Sequence, residues 1–143
     1  VYLSPVMDLF NREILSYSIS LSPNMKMIDE MLERLFNTRE IEEGAIMHSD
    51  QGALYQSSSY QKNLADKGIV QSMSRKATCL DNAVIENFFG LLKSEMFYGK
   101  EFESIEHFTE ELKEYIRYYN EDRIKMKLDG LSPVQYRLTK FAS

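Results

Sequence analysis

A change of hydrophobic period near residue 24 constrains this chain more than any other feature. Before it, residues 2–10 (YLSPVMDLF) and 13–21 (EILSYSISL) are β-rich runs separated by the short polar break Asn11-Arg12, a pattern that predicts two antiparallel strands joined as a hairpin. After it, Met27, Ile28, Met31, Leu32, Leu35 and Phe36 recur at the three-and-four spacing of a helix, with Asn24 or Ser22 available as its N-cap. A sheet followed at once by a one-faced helix must bury the helix against the sheet, so the chain has to fold as a layered α/β domain.

The remaining elements fit that layer. Residues 45–49 (AIMHS) read as a short buried strand that stops at Asp50-Gln51-Gly52. Ser57 to Ser59 can start a helix through Lys67, Gly68 can end it, and residues 69–73 return as a strand. Strand, helix, strand in that order predicts a parallel pair. Residues 74–80 (SRKATCL) have no period and are expected to be a loop, after which Asp81 caps a helix to about Tyr98. A second long helix is expected from Ser104 through Tyr119, and Ser132-Pro133 supplies the cap and first turn of a short terminal one. The 143 residues suffice for one core of ordinary size, so residues 1–143 are read as a single domain that includes the helices from about 104 onward. Because Val1-Tyr2-Leu3 enters an apolar run directly, the chain is expected to begin inside or beside a strand.

Composition excludes several classes. No apolar run reaches the roughly 18 residues of a membrane helix, and there is no charged-then-apolar leader, which predicts a soluble cytoplasmic protein with no membrane partner. Cys79 is alone, and with only His48 and His107 beside it the chain can build neither a disulfide nor a usual structural zinc site. The net charge of −5 argues against gripping DNA by bulk electrostatics, unless an acidic metal site carries part of that charge and basic segments elsewhere do the gripping.

Two carboxylates occupy positions that packing alone does not require. Asp50 ends a strand in His48-Ser49-Asp50-Gln51-Gly52, where alternation puts His48 and Asp50 on one face. Glu86 lies one turn into a helix, on a stripe with Asn82 and Lys93 at spacings of four and seven. A strand-end carboxylate and one on a following helix can converge on a hard divalent ion, Mg²⁺ or Mn²⁺, which prefers oxygen ligands. Two such ions roughly 3.5 to 4 Å apart support in-line phosphoryl transfer, and Lys93 is placed to meet a DNA phosphate. Arg75 and Lys76 are either further DNA contacts or solvated loop charges. His48 is expected to be a hydrogen-bonded structural residue of a buried strand rather than a metal neighbour. Tyr115, Tyr118 and Tyr119, at helical spacing, are expected to pack into the core rather than stack on bases.

His48-Ser49-Asp50-Gln51-Gly52, Ser72-Met73-Ser74-Arg75-Lys76, Asp81-Asn82-Ala83 with Glu86, and Leu92-Lys93-Ser94-Glu95 resemble the integrase-core transposases of the IS-three family of bacterial insertion sequences. The resemblance continues through Tyr118-Tyr119-Asn120, Arg123 and Leu131-Ser132-Pro133-Val134-Gln135-Tyr136-Arg137, so it spans essentially the whole chain. Thirty-five residues separate Asp50 from Glu86, the family's spacing for its last two catalytic acids. The resemblance implies a ribonuclease-H-like mixed sheet flanked by helices, a triad of two Asp and one Glu, Mg²⁺ dependence, and cutting and joining of transposon ends by a nucleoid-associated bacterial protein acting as a homo-oligomer on DNA. It also implies that the first Asp lies on a strand preceding Tyr2 to Phe10, upstream of Val1, and that Asp8 is not its equivalent. The rival readings are a metal-dependent nuclease on the same fold and a non-catalytic DNA-binding or oligomerisation module.

Overall fold

A computed structural model describes residues 1–49, 52–73 and 83–141. The first two strands, β1 (Tyr2–Met7) and β2 (Ile14–Ser20), pair as the expected hairpin. The link is longer than Asn11-Arg12: the Asp8 N–H donates to the Glu13 carbonyl at 2.9 Å and the Arg12 N–H to the Asp8 carbonyl at 2.8 Å. Arg12 closes the turn at φ 64°, the left-handed corner that longer hairpin loops use. Asp8 accepts the Phe10 N–H on its carboxylate at 2.9 Å, which makes it a turn residue.

Helix α1 (Met25–Thr38) follows, capped by Asn24, whose side chain accepts the Met27 N–H at 3.1 Å. Then come β3 (Ile46–Ser49), a 3₁₀ turn (Ala53–Gln56), α2 (Ser58–Asp66, capped by Ser57) and β4 (Val70–Met73). β3 and β4 are parallel in the register Ile46↔Val70 to Ser49↔Met73, as strand, helix, strand requires. The chain continues through α3 (Ala83–Leu92), a π turn (Lys93–Phe97), α4 (Ile105–Glu121), a 3₁₀ turn (Met126–Leu128) and α5 (Pro133–Phe141). Ser132 and Gln135 form a reciprocal capping box at the start of α5, each side chain accepting the other's amide. The expected 74–80 loop and the Asp81 cap lie outside the described residues. No helix among the described residues is long and apolar enough to cross a membrane.

The chain gathers into two units, Val1–Ser4 with Ser16–Glu86, and Pro5–Leu15 with Asn87–Ser143, so the hairpin's base belongs to one and its tip to the other. In the first, the predicted stripe of α1 is buried at Met27, Ile28, Met31, Leu32 and Leu35, with Tyr60 and Leu64 of α2 and Ile69. Each such side chain contributes on the order of 1.5–3 kcal/mol. The hairpin meets α1 with serines: Ser16 donates to the Met31 carbonyl at 2.7 Å, and the Ser4 hydroxyl lies 3.0 Å from the Met31 sulfur. In the second unit the core is Phe88, Met96, Leu112, Ile116, Tyr119 and Leu128, with the Phe88 and Tyr119 rings edge to face at 4.9 Å.

One expectation is corrected. The strand at 45–49 is not buried: Ile46 is 70% exposed and His48 is exposed, because β3 is one of a two-stranded pair whose α-helical cover does not reach these side chains.

Gly68 sits at φ 72°, where a Cβ would also come within 2.9 Å of the Glu43 Cγ. Gly68→Ala is expected to cost about 1–2 kcal/mol, chiefly from the left-handed backbone. A urea titration checks this, and an unchanged midpoint would show that the turn re-forms without it.

Candidate active site

Of the predicted site residues, Glu86 and Lys93 fall within the described structure, whereas Asp50, Arg75, Lys76 and Asn82 lie outside it. Strand β3 carries the chain to Ser49, immediately before Asp50. Cross-strand pairing of His48 with Ser72 is completed by a 2.9 Å contact between the His48 Nδ1 and the Ser72 Oγ. His48 is therefore hydrogen-bonded, as expected, but on an exposed surface.

Glu86 stands in the first turn of α3, where the unpaired N–H groups favour a negative charge. Rotation of the helix is set by Phe88, 1% exposed, which lies about 200° around a 3.6-residue helix from Glu86. Burying one exposes the other. The Glu86 carboxylate is exposed, and no hydrogen bond or ion pair within the described residues engages it. Such a carboxylate keeps its oxygens available to a hard cation, and the donor chemistry fits Mg²⁺ or Mn²⁺. Among the described residues, no three His, Cys, Asp or Glu side chains already converge. Lys93, exposed, is seven residues along the same stripe and opens the π turn. A recess of about 320 Å³ between α1 and α2, bordered by Leu32, Phe36, Asn63 and Lys67, includes neither Glu86 nor His48.

The sequence motifs without an assigned chemistry acquire definite roles. Asn120 imitates a strand: its Oδ1 accepts the Ile14 N–H at 2.8 Å and its Nδ2 donates to the Ile14 carbonyl at 3.0 Å. Its neighbour Tyr119 donates its hydroxyl to the Arg12 carbonyl at 2.8 Å, and burial pushes that phenol up to about 12. Tyr115 and Tyr119 are buried, as the packing reading predicts, while Tyr118 is 40% exposed. The fully buried Asn11 donates to the Pro133 carbonyl and to Glu13, and Arg137 reaches the same Glu13 carboxylate at 3.0 Å. Arg123 grips the Glu95 carboxylate through Nε at 2.8 Å and Nη2 at 2.7 Å, and the Tyr115 hydroxyl donates to it at 2.7 Å. The bond from Arg123 holds the Glu95 carboxyl below the usual carboxylate range, with Tyr115 adding to the effect. Nothing in the helical period of residues 83–98 discloses this pair, whose members are 28 positions apart.

Comparison with known proteins agrees with the motifs. The chain matches the integrase core domain family over residues 1–79 and again, in a second form of that domain, over residues 86–141. It is 53% identical over 137 residues to the putative transposase InsK for insertion sequence element IS150 of Escherichia coli, covering 96% of this chain and 48% of that protein. It is 34% identical to the transposase InsF for insertion sequence IS3A of the same organism, covering 95% and 48%. The chain thus spans about half the length of these curated relatives. Its fold is that of retroviral integrase cores. A chain of the simian T-cell lymphotropic virus intasome aligns with a TM-score of 0.75 at 14% identity, covering 94% of this chain and 47% of that one. The catalytic core domain of BIV integrase aligns with a TM-score of 0.63 at 16% identity, covering 87% and 79%. Mixed strands flanked by helices in a ribonuclease-H-like arrangement, motifs along the whole length and a family match over more than half of it place this chain in the integrase core domain family, among proteins similar to insertion-sequence transposases.

Proposed function

We propose that this chain is the catalytic core of a transposase that cuts and joins DNA ends by metal-dependent phosphoryl transfer. The observation that carries the reading is Glu86, an exposed carboxylate in the first turn of α3, unengaged among the described residues and separated from Asp50 by thirty-five residues in a chain of this family. Asp50 and Glu86 would hold Mg²⁺ or Mn²⁺, with a third carboxylate from an Asp N-terminal to Val1. Such an ion, when bound, would stabilise the negative charge that develops during phosphoryl transfer. Around it, Lys93 would fix a DNA phosphate. Asn82, Arg75 and Lys76 are proposed as further DNA contacts. Residues 1–143, including the helices from about 104 onward, are proposed to belong to one integrase core domain. With a net charge of −5, the chain depends on local cations for its DNA contacts, and a homo-oligomer working on two DNA ends would multiply them.

A strand-transfer assay on the full-length gene product, with the DNA flanking its gene as donor and a plasmid as target, tests this. Joined products that require Mg²⁺ or Mn²⁺ are expected. Hydrolysis with no joining under any condition would instead mark a nuclease on the same fold, and neither product would mark a non-catalytic module.

A further inference from the structure

The π turn between α3 and α4 solves a geometric conflict. Phe88 and Met96 are both buried, yet eight residues of α-helix would turn them about 80° apart. A single π turn absorbs one extra residue, so the pair behaves as though seven apart and returns to within about 20° of one face. Glu86 and Lys93, also seven apart, share the exposed stripe at the same time, with Lys93 as the first residue of the turn. The turn is closed by the Tyr98 N–H donating to the Lys93 carbonyl at 2.9 Å. A π turn is rare and persists where side chains outside it select it.

Here the outside contact is explicit. Glu95, inside the turn, is held by two nitrogens of Arg123 and by the Tyr115 hydroxyl of α4. Arg123 is itself anchored, its own N–H donating to the Tyr118 carbonyl at 2.8 Å where α4 ends. The Arg123 side chain is 19% exposed and that of Glu95 32% exposed, so the planar fork is shielded enough to fix geometry. Lys93 is two residues before Glu95, and its carbonyl is the acceptor that closes the turn.

We propose that Arg123 is a positioning residue: through its bidentate pair with Glu95 it holds Lys93–Phe97 as a π turn and thereby aims the Lys93 ammonium at a DNA phosphate. This rests on the function proposed above, in which α3 faces DNA. Lysine at position 123 keeps the charge but lacks the fork, so it separates the clamp from any direct phosphate contact by Arg123 itself.

The test is the salt dependence of binding to a fluorescent duplex oligonucleotide by the full-length gene product. Lys93→Ala and Arg123→Lys are each expected to lower the slope of log affinity against log salt by about 0.9, the loss of one phosphate contact, and the double variant to lose no more than either. Amide exchange at Tyr98 is expected to accelerate in Arg123→Lys and not in Lys93→Ala. A wild-type slope in Arg123→Lys beside a lowered one in Lys93→Ala overturns the clamp and leaves the function standing. An unchanged slope in Lys93→Ala overturns it as well. Should Arg123→Lys fold poorly, Glu95→Gln carries the same comparison. The function itself is judged separately, by strand cutting with Glu86→Gln.

Discussion

Glu86→Gln is expected to lower DNA strand cutting by the full-length gene product by about a thousandfold while leaving its DNA affinity within about threefold. Gln is nearly isosteric with Glu but offers a neutral amide oxygen in place of a carboxylate, a poor ligand for a hard divalent ion. Losing a metal's stabilisation of developing charge costs several kcal/mol, and roughly 4 kcal/mol corresponds to that thousandfold. The structural cost is far smaller. Glu86 is exposed and unengaged among the described residues, so Gln forfeits only its favourable place at a helix N-terminus, about 0.3–1 kcal/mol. The two magnitudes separate chemistry from folding. Cutting assays, gel-shift affinity and a thermal melt on the same preparation decide the matter. Retention of cutting within tenfold of wild type would remove Glu86 from the site.

Asn120→Ala is expected to destabilise the fold by about 2–4 kcal/mol. The substitution strips partners from both the N–H and the carbonyl of Ile14, a residue 4% exposed, and each buried backbone group left unpaired costs about 1–3 kcal/mol. Asn120→Asp is expected to lose at least as much, since one oxygen still accepts the Ile14 N–H but the other faces the Ile14 carbonyl oxygen where the amide had donated at 3.0 Å. Urea titrations of the three proteins check the order. An Ala variant within 1 kcal/mol of wild type would mean that water replaces the side chain at both groups.

What could be read from the sequence is what is encoded locally. Asn24, Ser57, Ser104 and Ser132 each precede a three-and-four pattern and each accepts an amide one turn on, so helix starts were legible to within a residue or two. The parallel pairing of β3 and β4 followed from the order of periods alone. Three features were not legible, because each depends on a partner distant in sequence. In ILSYSIS, alternation offers Leu15, Tyr17 and Ile19 as the buried face, but Ile14, Ser16 and Ser18 are the more buried set, Ser16 being hydrogen-bonded to α1. The apolar run at Ile46 looked like interior and is exposed. The π turn at Lys93–Phe97 keeps the composition of an ordinary helix and is bridged through Glu95 to Arg123, beyond the C-terminal end of α4. For the candidate site, the sequence supplied residue types and spacing, and the fold supplied a helical rotation that exposes Glu86 and Lys93 together.

The stitching of the hairpin tip has a consequence for the order of synthesis. Arg12 and Ile14 find their side-chain partners in Tyr119 and Asn120, 107 and 106 positions later, and Asn11 waits for Pro133, 122 positions later. At a ribosomal pace of roughly 5–20 residues per second, the tip spends on the order of 5–25 s with its polar backbone still bonded to water. Until the last helices leave the ribosome, the tip lacks these partners while the base of the hairpin already has α1 to pack on, so a product stopped short of residue 133 leaves Asn11 without the Pro133 carbonyl.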